Sequence, residues 1–334
     1  MTIDAKLLAK ARSKLDKKCK EREAAIDRRT EEVYAKAPKV REIDMELGET
    51  MAELIAVSIS PDTTEKAGKK INDISIKNLK LQEERKKALA SGGYSPNYLD
   101  EEYNCKDCND TGYIDTEMCD CLLELYKEEQ RLSLSSLLKL GDETFESFIL
   151  SYYDDKPTPE TAVSSRKSME IVYETCVEYA RKFGPKSMNL FFNGAPGLGK
   201  TYLSACIARV VAEKGFSVVY DMAGAIFSMF EDAKFNKSDN LEETRDEINR
   251  YLQCDLLIID DLGTEMITEF TKSVLYEVIN TRLISAKKTI VSSNMTIDEM
   301  RQRYTEQIMS RLEGEYHVLT FYGDDIRKKK KEES

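Results

Sequence analysis

The chain has 334 residues, 41% of them hydrophobic and 33% charged, which is enough apolar material for two or three cored domains. With 50 Lys and Arg against 61 Asp and Glu, the net charge of −11 argues against whole-molecule attraction to DNA or an anionic membrane and leaves only a local basic patch open. No run is long and apolar enough to span a bilayer and the first residues lack the apolar core of a signal peptide, so the expected location is the cytoplasm, with no membrane partner.

Residues 5–91 are rich in Lys, Glu, Ala and Leu and poor in Gly, which predicts long helices broken over 58–64, around Pro61. The second helix, 65–91, carries Ile71, Ile74, Ile76, Leu79, Leu81 and Leu89 at roughly helical intervals. Two readings of this helical N-terminal region, 1–95, stand side by side: a hairpin that buries its own apolar face, and a docking surface for a partner. A cysteine module is expected over 96–125. A linker follows over 126–164, with a helix over 122–140 and a polar stretch over 152–161. From about 165 to 327 helical patterns alternate with short apolar strands at 188–193, 217–221, 256–260, 289–293 and 317–322, which predicts an α/β domain with a central parallel sheet covered on both faces. The tail, 328–334, opens with four lysines, either solvated or in contact with a phosphate backbone.

Of the eight cysteines, four form two close pairs, Cys105 with Cys108 and Cys119 with Cys121. Four thiolates satisfy a tetrahedral Zn²⁺, and a closed four-sulfur set would be structural. The C-x-C spacing of the second pair is less usual than C-x-x-C, and an iron–sulfur cluster or free thiols are the alternatives. His317 is far along the chain, so the cysteines alone make the simplest complete ligand set.

Gly194, Ala195, Pro196, Gly197, Leu198, Gly199, Lys200 and Thr201 fit the pattern G-x-x-x-x-G-K-S/T between an apolar strand and a helix starting near Tyr202. The glycines let backbone N–H groups turn toward phosphate oxygens, Lys200 reaches the β- and γ-phosphates of ATP, and Thr201 offers its hydroxyl to Mg²⁺. The strand 256–260 ends in Asp260 and Asp261, which a parallel sheet brings beside the phosphate loop. Asp260 is the candidate Mg²⁺-shell carboxylate. Asp261 and Glu265 are rivals for polarising the attacking water, and slow hydrolysis is expected. Asn294, at the end of the next strand, resembles the sensor 1 position of AAA+ ATPases, with capping of the following helix as the plain alternative. That helix opens with Thr296 and Glu299 in a capping-box pattern. Ser310, Arg311, Leu312 and Gly314 resemble the box that carries the AAA+ arginine finger, which implies self-association. Arg301 and Arg303 read as surface charges or phosphate contacts.

In this order the pieces resemble the bacterial replicative-helicase loaders of the DnaC/DnaI type. The resemblance runs from Leu81 and Gln82 through Gly93, Tyr94, Tyr98, the segment from Tyr103 to Gly112, and Thr144, Phe145 and Phe148, to Gly323 and Arg327. It implies an AAA+ ATPase that binds ATP and single-stranded DNA, holds a replicative helicase through its N-terminal region and delivers it to DNA during replication. The alternatives are a transposition helper ATPase of the IstB kind, in which the cysteine module is not expected, and a zinc-containing scaffold whose nucleotide controls shape without significant hydrolysis.

Overall fold

The computed structural model describes residues 3–59, 65–138, 143–157, 163–235 and 241–332, which fall into two compact units: 13–121, and 1–12 together with 122–334.

The chain begins with three long helices, α1 (Ala5–Lys36), α2 (Pro38–Ile59) and α3 (Glu65–Ser91). Asp4 caps the first: its Oδ1 accepts from the N–H groups of Lys6 (2.9 Å) and Leu7 (3.2 Å). The sequence led us to expect a break only near 58–64. There is a further one at Pro38, which opens α2, because a proline is tolerated in the first turn, where its missing N–H has no helical partner, but not in a helix interior. Residues 60–64, at the expected break, lie outside the described residues. Within 13–121, α2 and α3 run antiparallel: Arg85 Nε donates to Asp44 Oδ1 (2.5 Å), and six residues further along α2 the hydroxyl of Thr50 donates to Asn78 on the preceding part of α3. Val33, Val40, Leu89 and Leu99 form the buried centre, with Tyr94 and Tyr98 packed against them. The apolar set on α3 is divided: Ile74, Leu81 and Leu89 are buried, whereas Ile71, Ile76 and Leu79 are exposed, as are Met45, Met51 and Ile55 on α2. A two-strand hairpin, β1 (Tyr113–Ile114) and β2 (Glu117–Met118), completes this unit and leads into α4 (Asp120–Leu138).

The larger unit continues with α5 (Ser165–Lys182), β3 (Asn189–Asn193), α6 (Lys200–Glu213), β4 (Val218–Met222), α7 (Ala223–Phe235), α8 (Leu241–Gln253), β5 (Leu256–Leu262), α9 (Glu269–Ile284), β6 (Lys288–Ser293), α10 (Ile297–Arg303), α11 (Glu306–Gly314), β7 (Tyr316–Thr320) and α12 (Ile326–Glu332). All five expected strands are present, with ends moved by one or two residues. They form one parallel sheet in the order β4-β5-β6-β3-β7. Strand alternation sorts the core into two layers. Leu190, Phe192, Tyr220 and Ile258 pack on one face against Met169, Cys176, Leu203 and Ile207 of α5 and α6. Phe191, Val219, Ile259 and Val291 pack on the other against Ile226, Leu275 and Leu312 of α7, α9 and α11. After β3 the chain crosses to the far edge of the sheet, so β3 marks the point where the strand order reverses. A ligand crevice is expected at the carboxyl end of a strand in that position.

Candidate functional site

The loop after β3 is shaped by close approach. Gly194 has φ +148, and a Cβ there would lie 2.5 Å from the carbonyl oxygen of Phe321. Gly197 has φ +80, and a Cβ there would lie 2.0 Å from Asp325 Oδ1. Only glycine fits either place. Gly199 then stands at the N-terminal end of α6, which leaves the first backbone N–H groups of that helix without helical partners and available to an anion.

Lys200 is buried. Its Nζ donates to the carbonyls of Gly194 (2.5 Å) and Ala195 (2.8 Å) and to Oδ1 of Asn294 (2.7 Å), tying the loop to the end of β6. Burial pulls its pKa down to about 8, against the opposing pull of Asp261 and Asp260. Thr201 donates to Asp260 Oδ2 at 2.9 Å, and Asp260 is 2% exposed. Two further hydroxyls point at that carboxylate, Tyr220 at 2.5 Å and Ser292. Burial and the Asp260 charge raise the Tyr220 pKa, so the phenol stays a neutral donor. Asp261 has φ +59. Its N–H donates to Ser292 Oγ (3.0 Å), and its Oδ1 accepts from Nδ2 of Asn294. Burial, then the neighbouring Asp260 charge, lift its pKa.

These groups open on a cavity of about 540 Å³ lined by Pro196, Gly197, Leu198, Gly199, Lys200, Thr201, Tyr202, Asp260, Asp261 and Asn294, with Phe148, Ile149, Tyr152 and Ile326 supplying an apolar side. Gly194 and Ala195 do not line it; their carbonyls hold Lys200. Glu265 and Arg311 do not line it. The Glu265 carboxylate is bound by Tyr304 and the Gly263 N–H, and Arg311 is held on α9 by Asn280 Oδ1 (2.8 Å) and Tyr276 Oη (2.9 Å). Thr296, not Asn294, caps α10, in a complete capping box with Glu299. Arg301 makes a two-pronged pair with Glu313, both contacts 3.0 Å.

Several residues of the site carried no assignment from sequence. Arg327 lines the cavity, and its charge bears on Lys200. Tyr153 donates to the Leu198 carbonyl at 2.8 Å, anchoring the phosphate loop from outside the strand–helix pattern. Phe148 stacks on Tyr173, with centroids 5.3 Å apart, and packs beside Tyr202. Phe148 and Arg327 stood out in the sequence only among the residues that carry the family resemblance, without a role in the site, and for Tyr153 the available signal was its place ahead of the first strand of the domain.

In the 13–121 unit the sulfurs of Cys105, Cys108, Cys119 and Cys121 all lie within 4.8 Å of one another, with Cys105–Cys119 at 3.7 Å and Cys108–Cys121 at 3.4 Å. A tetrahedral ion with bonds of about 2.3 Å to sulfur holds its ligands about 3.8 Å apart, so the spacing suits a metal, and Cys108 and Cys119 are buried. The Gly112 N–H donates to Cys108 Sγ (3.3 Å), as is usual around a metal thiolate. Asp110 closes the first knuckle by accepting from the N–H groups of Cys105 (2.7 Å) and Asn104 (3.2 Å) and from Arg22 Nη1 (2.7 Å).

A phosphate loop after β3, at the reversal point of a parallel sheet, with an Asp pair at the end of β5 and β6 lying between the two strands, defines a P-loop ATP-binding domain of the AAA+ class. The sequence profile of the family described as "IstB-like ATP binding protein" matches residues 178–334, and this part of the chain is an IstB/DnaC-type AAA+ domain. Over 153 residues the chain is 29% identical to "Replicative helicase loader DnaC" of Buchnera aphidicola subsp. Baizongia pistaciae (strain Bp), covering 46% of this chain and 61% of that protein. Over 192 residues it is 29% identical to "Chromosomal replication initiator protein DnaA" of Aliarcobacter butzleri (strain RM4018), covering 57% of this chain and 39% of that protein. The chain thus spans less than two thirds of the length of either relative. Among solved structures, "Crystal structure of the DnaC helicase loader" aligns at 18% identity and TM-score 0.44, over 54% of this chain and 97% of that one. Among the described residues no helix is long and apolar enough to cross a membrane.

Proposed function

We propose that this chain is an ATP-hydrolysing helicase loader, which binds ATP in the cavity between the phosphate loop and β5 and delivers a replicative helicase onto single-stranded DNA during replication. The observation that carries this is the meeting of Lys200, Thr201, Asp260, Asp261 and Asn294 in one cavity, within a domain whose relatives are named for helicase loading and replication initiation.

The loop amides and Lys200 bind the phosphates, and Phe148 and Tyr202 flank the apolar side that receives the base. Thr201 and Asp260 offer adjacent hard oxygens for Mg²⁺, which when bound neutralises charge on the β- and γ-phosphates. Asn294 bridges Lys200 and Asp261, so it senses the γ-phosphate from the strand end. Arg311 lies outside the cavity of its own chain and acts on the nucleotide of an adjoining copy, which makes hydrolysis depend on self-association. The four cysteines hold a structural zinc. The N-terminal region, 1–95, docks the helicase and 165–327 is the ATPase domain, in a protein that works in the cytoplasm. The linker, 126–164, joins the cysteine module, 96–125, to the ATPase domain, and the tail, 328–334, remains a local basic patch.

The cysteine cluster favours this reading over a transposition helper. Copurification is the test. Tagged full-length chain is expected to retain the replicative helicase of its own cell in near-stoichiometric amount. Loss of the helicase at physiological salt, with the chain folded, would overturn the loader assignment and leave the ATP-controlled scaffold.

A further inference from the structure

The end of β5 and the turn after it are held by side-chain contacts, two of them made to Glu265. Asp261 occupies the left-handed region at φ +59, which a residue with a side chain adopts only where its surroundings impose it. Those surroundings are specific. Ser292 Oγ accepts from the Asp261 N–H at 3.0 Å, and the Asp261 carbonyl accepts from the Thr264 hydroxyl at 3.0 Å. The Gly263 N–H donates to Glu265 Oε2 at 2.8 Å, and Tyr304, which terminates α10 and is 5% exposed, donates its phenol to Glu265 Oε1 at 2.9 Å. Both Glu265 oxygens are therefore engaged within the protein, while Asp261 faces the cavity.

We propose that Glu265 is a positioning residue and not the base: with Tyr304 it braces the turn that presents Asp261 to the attacking water. In the step so assigned, Asp261 takes a proton from water as the water oxygen bonds to the γ-phosphorus, and the bond from that phosphorus to the β–γ bridging oxygen breaks, its electron pair leaving with ADP. This assignment deepens the ATPase reading and rests on it.

The test compares kcat and ATP affinity in Asp261→Asn, Glu265→Gln, Tyr304→Phe and the Glu265→Gln/Tyr304→Phe double variant of the full chain. Asp261→Asn is expected to lower kcat more than about a hundredfold. Tyr304→Phe and Glu265→Gln are each expected to lower it about three- to tenfold, and the double variant to match the weaker single, because the two residues act as one unit. ATP affinity should stay within about twofold throughout. A Glu265→Gln loss as deep as that of Asp261→Asn, with Tyr304→Phe at the wild-type rate, would make Glu265 the base. Wild-type turnover in both brace variants would also overturn the proposal. If the wild type itself fails to hydrolyse ATP under any assembly condition, the ATPase reading fails separately. The brace is then read from amide hydrogen exchange at Gly263, which Tyr304→Phe should accelerate about tenfold or more, and an unchanged rate would refute it.

Discussion

Replacing Lys200 with Ala is expected to weaken ATP binding at least about a hundredfold, since it removes two charge-assisted phosphate bonds worth about 1.5–3 kcal/mol each, at about 1.4 kcal/mol per decade. The wild type carries a further signature of this residue. Burial holds the free Lys200 at about 8, and bound phosphates favour its charged form and raise it. Affinity should therefore be level below pH 7, where Lys200 is already charged. It should fall as pH rises through 8, by up to about tenfold per unit, because binding then has to take up a proton. Lys200→Ala should lose that slope. Asp260→Asn separates binding from chemistry: nucleotide affinity in the absence of magnesium should persist while magnesium-dependent turnover falls by about two orders of magnitude. Three hydroxyls, from Thr201, Tyr220 and Ser292, donate to this carboxylate, and an amide offers one acceptor oxygen in place of two, so a stability loss of about 1–3 kcal/mol should accompany the kinetic loss. Isothermal titration across pH 6.5–9.5 with steady-state turnover checks all of this. Equal affinity and a flat pH profile in wild type and Lys200→Ala would remove Lys200 from the site.

The second large effect concerns the cysteine cluster. About one zinc per chain is expected by elemental analysis, and Cys108→Ser should lose it and expose residues 103–121 to proteolysis. That stretch has only a two-strand hairpin and little buried apolar surface of its own, whereas binding of a structural zinc contributes about 10–16 kcal/mol in zinc-finger peptides. A strong chelator should reproduce the phenotype in the wild type. Visible absorbance of an iron–sulfur centre would change the metal, and metal-free protein of unaltered protease resistance would dismiss the site.

Where chemistry sits at fixed spacing, sequence was a good guide. The glycines at 194, 197 and 199 with Lys200 and Thr201 announce a phosphate loop because no other residue types satisfy those backbone angles and ligands together. The strand cores were legible for a related reason: segments such as 256–259 are buried on both faces and read as unbroken apolar runs. The apolar side of the cavity was not. Phe148, Tyr152 and Ile326 reach it from opposite ends of the domain, and only the sheet order brings β7 beside β3. Glu265 shows the same limit at one residue. It lies four positions after Asp261, close enough in sequence to rival it, yet its environment is set by a tyrosine 39 residues away. At Pro38 the sequence carries the signal, but helical composition on both sides masks a break that a single imino acid enforces.

The loader assignment is tested most directly by counting helicase hexamers on DNA. The purified full-length chain is mixed with the replicative helicase of its own cell and covalently closed single-stranded circular DNA, and helicase retained on the circles is measured with ATP and magnesium. The wild-type chain should raise retention severalfold over helicase alone, and the Lys200→Ala chain should fail to do so. Retention that is the same with wild type, Lys200→Ala and no added chain would contradict the account.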